Sequence, residues 1–289
     1  MKKSRFKIAR SSNNLGTFKD SEMDWVFKRT LEYTNSGGAD IGDCLCVVSK
    51  IKENNIETWI NAWESLAERV QIDAEKSLEN RQTISVRGAF LRASNYYRTA
   101  EYAAVPTHPK FHELWERSRN CFHKACPLFE PPIQILEVPF EEKKLPAYFW
   151  SPDSSGKKRP TMFSVGGNDS SGEEVWFWSA QAAIERGYNF FTFEFPGHRG
   201  TVHLYPDCVK RYDMEKPFAA AFDVLEKLPG VDERIALAGH SFGGYVVSRV
   251  AIFEPRVKAL IPSSPLIDVS RAQKEMLEKT RIPLWLLAW

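Results

Sequence analysis

The chain has 289 residues, 43% apolar and 26% charged, the mix of a globular protein with one large core or one core plus a substantial extra piece. Its 39 basic and 37 acidic residues leave a net charge of +2, which offers no dominant electrostatic partner and argues against nucleic acid. Nine Trp and 19 Phe imply either a well-filled core or a bulky apolar pocket for a hydrophobic small-molecule substrate.

Residues 1–20, MKKSRFKIARSSNNLGTFKD, read as a flexible basic arm without the apolar run of a secretory signal. Ser21 is placed to cap a helix through SEMDWVFKRTLEYTNS that Gly37-Gly38 stops. Asn55 precedes a strongly amphipathic helix, in which Ile56, Trp59, Ile60, Trp63, Leu66 and Val70 recur at intervals of three and four. TISVRGAFLRASNYYRTAEYAAV continues in the same style up to Pro106, and PKFHELWERSRNCFHKAC forms one more helix before Pro127. Residues 21–130 therefore read as a helical, cap-like N-terminal domain. The five cysteines are odd in number and irregular in spacing, which suits free thiols in a reducing compartment. No window of 18 apolar residues exists, so a cytoplasmic protein with no membrane partner is expected.

At PLFEPP the composition changes. Two short runs, IQILEVPF and LPAYFWS, are separated by EEKK as in a hairpin. TMFSVGG, NFFTFEFPG, RIALAGHS and VKALIPSS follow, and GEEVWFWSAQAAIERG and EKPFAAAFDVLEKL supply intervening helices. Alternation of strand and helix predicts an α/β core over 131–289, a mainly parallel sheet with helices on both faces.

The chemistry concentrates at Gly239-His240-Ser241-Phe242-Gly243, between an apolar strand and a helix. A serine on such a strained turn needs small neighbours, and the helix start behind it aims N–H groups, that of Phe242 first, at a developing oxyanion. Two further loops end strands of the same sheet. FSVGGNDSSGEE brings Gly166-Gly167 and FEFPGHRG brings a Pro-Gly turn, and in an open parallel sheet such carboxyl-end loops line the ligand crevice.

These motifs, Gly166-Gly167 with the acidic Ser-rich loop, Pro196-Gly197-x-x-Gly200, Gly239-x-Ser241-x-Gly243-Gly244 and FEPRVKALI after them, resemble the α/β-hydrolase superfamily. Over residues 80–270 the chain is similar to a subgroup with a helical N-terminal domain, which includes dihydroxypseudooxynicotine hydrolase and hydrolases of fungal polyketide clusters of the fusarin and cytochalasin type. The resemblance implies an α/β-hydrolase-type fold, Ser241 as nucleophile, and an oxyanion hole from Phe242 and the Gly167–Asn168 turn. It also implies that Glu173 or Glu174 serves as an auxiliary acid, although acids in a first helical turn suit the helix dipole without any catalysis. The reaction would be hydrolysis of an ester, lactone, amide or carbon–carbon bond in secondary metabolism, with no metal or organic cofactor.

In this fold the order along the chain is Ser, acid, His. All six histidines, His108, His112, His123, His198, His203 and His240, precede Ser241 or adjoin it, and 48 residues follow it without another. Three readings compete: a chain truncated before the usual acid and histidine, a silent hydrolase-fold binding protein, and a rewired enzyme with His198 and Asp268 as substitute base and acid. IPLWLLAW, residues 282–289, reads as the start of the next strand. A sheet missing its last strands predicts poor solubility or a homodimer by edge pairing.

Overall fold

The computed structural model describes residues 15–263, 268–271 and 274. Most of the basic arm and the IPLWLLAW segment lie outside the described residues. By its contacts the chain divides into two compact units, one ending at Leu128 and the other beginning at Phe129.

The first unit is helical: α1 Ser21–Glu32, α2 Ile41–Val48, α3 Ile56–Glu79, α4 Thr83–Tyr102 and α5 Phe111–Ala125. The cap of α1 is Asp20 rather than the expected Ser21, because the Asp20 carboxylate accepts the N–H groups of Glu22 and Met23. Asn55 caps α3 through the Thr58 N–H at 3.0 Å. The stripe read from the sequence becomes the core, with Trp59, Ile60, Trp63, Leu66, Ala67 and Val70 all buried. Helix α4 packs against both α3 and α5 and is buried almost throughout its second half. Its polar residues are satisfied in place: Arg98 donates to Glu101 at 2.6 Å, and Thr99 receives Trp59 Nε1–H on its carbonyl at 2.8 Å. Ahead of α1, the buried Asp24 carboxylate accepts the N–H groups of Leu15, Gly16, Thr17 and Phe18, pinning that segment to the helix.

The second unit carries the sheet. Its strands are β1 Gln134–Phe140, β2 Lys143–Trp150, β3 Arg159–Val165, β4 Asn189–Phe193, β5 Val231–His240 and β6 Val257–Ser263, in the order β1-β2-β4-β3-β5-β6. The β1–β2 and β2–β4 pairs are antiparallel, and β4–β3, β3–β5 and β5–β6 are parallel. The hairpin turn is only Glu141-Glu142, since Lys143 and Lys144 already pair with Phe140 and Pro139.

Period-two alternation sets the two faces of the sheet. On β3, Phe163 and Val165 join a cluster with Phe218 and Phe222 of α9 (Glu215–Leu225) and Val246, Val247 and Val250 of α10 (Phe242–Phe253). On the opposite face, Ser164 Oγ lies 3.3 Å from Ser179 Oγ. Ser179 belongs to a helical run of α6 Gly172–Val175, a π segment Trp176–Ala180 and α7 Gln181–Glu185. Helices thus cover both faces, which is why adjacent residues Phe190 and Phe191 of β4 are both fully buried. Among the described residues no helix is long and apolar enough to cross a membrane.

Candidate active site

Ser241 stands between β5 and α10 with φ 56° and ψ −119°, a region that residues other than glycine avoid. Its N–H donates to the Ser263 carbonyl at 2.9 Å, which anchors the turn to β6, while the side chain stays exposed. The flanking glycines are steric necessities. A Cβ on Gly239 would overlap the Gly243 carbonyl, and one on Gly243 would overlap the Gly166 carbonyl. The elbow is therefore wedged against the loop that follows β3. In that loop a Cβ on Gly167 would lie 3.1 Å from Ser241 Cβ and 3.5 Å from its Oγ, so this backbone runs directly beside the hydroxyl.

Phe242 begins α10, and its N–H, like every N–H of a first helical turn, has no carbonyl partner within the helix. The Gly167 N–H donates to Ser170 Oγ at 3.1 Å and is engaged inside its own loop. Of the two residues of the turn expected to supply a donor, Gly167 has its N–H held in this way. The Asn168 side chain accepts from Lys210 Nζ.

Glu173 and Glu174 are both buried at the start of α6 but have different partners. Glu174 forms a capping box with Ser171, exchanging hydrogen bonds of 3.1 and 3.3 Å with it. Glu173 accepts instead from the Tyr148 hydroxyl of β2.

His198 is fully buried, stacked on Phe195 with ring centroids 4.4 Å apart. Its Nε2 lies 3.1 Å from the Gly167 carbonyl oxygen and its Nδ1 3.7 Å from Glu194 Oε2. The acid placed beside His198 is thus Glu194 and not the expected Asp268, which is exposed and accepts the Arg271 N–H at 2.8 Å. Glu194 also receives the N–H groups of Gly172 and Gly200, joining the loops after β3 and β4. His240 lies edge-on to Trp178 at 5.3 Å, and burial holds its imidazole below the usual value.

Sequence reasoning missed Lys210, Tyr148 and Glu194. Glu194 carried a signal, an acid inside the apolar run FEFPG with glycines 22 residues before it and six after it. Lys210 carried none, since it follows α8 (Arg199–Leu204) in a stretch without periodicity.

Residues 165–288 match the sequence pattern of the alpha/beta hydrolase family. A curated relative, hydrolase ORFZ of Pyricularia oryzae, is 34% identical over 94% of this chain and 68% of its own length. The 20-hydroxy-prefusarin hydrolase of Gibberella moniliformis is 30% identical over 94% of this chain and 67% of its own. Hydrolase acrC of Aspergillus aculeatus is 32% identical over 90% of this chain and 64% of its own. The chain thus spans about two thirds of the length of these relatives. The crystal structure of 2,6-dihydroxy-pseudo-oxynicotine hydrolase superposes with a TM-score of 0.74 at 23% identity, over 88% of this chain and 72% of that one, which shows a common fold. With the elbow, the two glycine loops and the strand order in agreement with this kinship, the chain belongs to the α/β-hydrolase family.

Proposed function

We propose that the protein is a serine hydrolase that attacks a carbonyl of a hydrophobic small molecule through Ser241, in the chemistry of fungal secondary metabolism. The observation that carries this reading is the exposed Ser241 at φ 56°, raised on the elbow beside Gly167 and at the head of α10. In this reading the strained turn presents Oγ to a ligand at the head of α10. The fungal relatives support the setting, one of them bearing the name 20-hydroxy-prefusarin hydrolase.

In this mechanism Ser241 Oγ attacks the carbonyl carbon and its proton passes to a base. The carbonyl oxygen becomes an oxyanion held by the N–H groups of Phe242 and Asn168. Collapse expels the alcohol, amine or carbon leaving group with a proton, and water then releases the acid from the acyl-enzyme. Removing one oxyanion donor from such a site costs about 10²–10³ in rate. Glu173, held by Tyr148, is the better placed of the two glutamates to serve as auxiliary acid, because Glu174 is committed to its capping box. His198 has its Nε2 on the Gly167 carbonyl and supports the oxyanion loop in this reading, with Ser241 activated by another group.

Labelling with a fluorophosphonate, read by intact mass and peptide mapping, tests the proposal. One adduct on Ser241, lost in Ser241→Ala and retained in part in His198→Ala, is expected. A folded protein that takes no label points instead to a binding protein on a hydrolase fold. Abolition of labelling by His198→Ala, with the fold intact, would make His198 the base.

A further inference from the structure

Lys210 is a cation that the structure places on the loop after β3. Its Nζ donates to Asn168 Oδ1 and lies 5.4 Å from the centroid of the Phe242 ring. The stem is fixed as well as the head. Gly197, at φ 79°, passes so close that a Cβ there would overlap Lys210 Cγ, and the Gly197 N–H donates to the Cys208 carbonyl at 2.7 Å. The Pro196-Gly197 turn therefore serves as the seat of this lysine, which spans from it to the Asn168 side chain and the Phe242 ring.

Resting on the reading of Ser241 as nucleophile, we propose that Lys210 is the positioning residue of the oxyanion hole. Its ammonium ties the Asn168 turn to the head of α10 and supplies a positive charge beside the tetrahedral adduct. A neutral amine at this place would keep the packing and lose the charge. Burial brings the Lys210 ammonium down to about 8, with Asp169 on the same loop opposing that shift. Asp207 pairs with Lys143, Arg211 with Glu141 and Asp213, and His198 touches the far side of the loop through the Gly167 carbonyl. The charge is therefore present below about pH 8 and is lost above it.

The test is the second-order rate of fluorophosphonate labelling of Ser241 in the full chain, followed from pH 6 to pH 10. Lys210→Met is expected to slow labelling about tenfold or more and to remove a descending limb centred near pH 8. Lys210→Arg, whose guanidinium does not titrate in this range, is expected to restore much of the rate and to stay level through pH 10. This variant also serves alone should Lys210→Met not fold. A Met variant that labels as fast as the unaltered protein, or an Arg variant that keeps the alkaline limb, overturns the role of Lys210 and leaves the Ser241 reading standing. Absence of label in the unaltered, folded protein overturns both.

Discussion

The residues that shape the elbow are those that take up no room. Gly243 meets the Gly166 carbonyl where a methyl group would sit, and Gly167 brings its backbone to the Ser241 hydroxyl. Gly243→Ala should therefore cost about 1–3 kcal/mol by overpacking, read as a lowered denaturant midpoint, and should slow labelling of Ser241 by pushing the oxyanion loop away. The motif that announces Ser241 was legible in the sequence because each glycine in it answers a steric demand of strand, turn and helix. Lys210 and Tyr148 were not, because each is brought to the site by a separate loop or strand and no spacing along the chain encodes that meeting. His198 was legible as a residue of the active edge, but its partner was not. Asp268 was expected from its place after β6, whereas Glu194 lies one turn of chain away and is drawn in by two glycine N–H groups.

Among the elements, the amphipathic α3 was readable from its periodicity, and the six strands from short β-branched and aromatic runs set between helical stretches. What periodicity missed were the boundaries set by hydrogen bonds: Asp20 displaces Ser21 as a cap because a carboxylate accepts two N–H groups at once. The π segment Trp176–Ala180 was invisible too, because its widened turn replaces i→i+4 bonds by i→i+5 without changing the residue types required. The central strand β3 carries most of the weight of the sheet unit. Phe163 contacts the rings of Phe191, Phe193, Phe218 and Phe222 at 4.8–5.7 Å, so it joins β4 to α9. Phe163→Ala should cost about 3–5 kcal/mol, measured by thermal or denaturant unfolding. Phe163→Leu should recover most of that loss.

For the molecule as a whole, five free thiols report on how tightly its parts close. Cys44, Cys121, Cys126 and Cys208 are buried and Cys46 is exposed. Burial pushes the thiols of Cys44 and Cys121 up to about 12, which suppresses the reactive thiolate further. A thiol reagent added to the native protein at pH 8 should modify Cys46 quickly and the others only as denaturant opens the fold. Fast reaction of a second thiol would show that one of the two units opens readily. The order of the strands, finally, has a consequence in time. The helical unit closes its contacts within a chain that ends at Leu128, but β3 has no parallel neighbour on its far side until β5 arrives at Val231. At the usual pace of synthesis, 5–20 residues per second, the stretch from the end of β3 at Val165 to Val231 takes roughly 3–13 s to emerge. For that interval a ribosome would display a finished bundle of helices followed by a sheet waiting open at its middle, and it is then that a chaperone has most to hold.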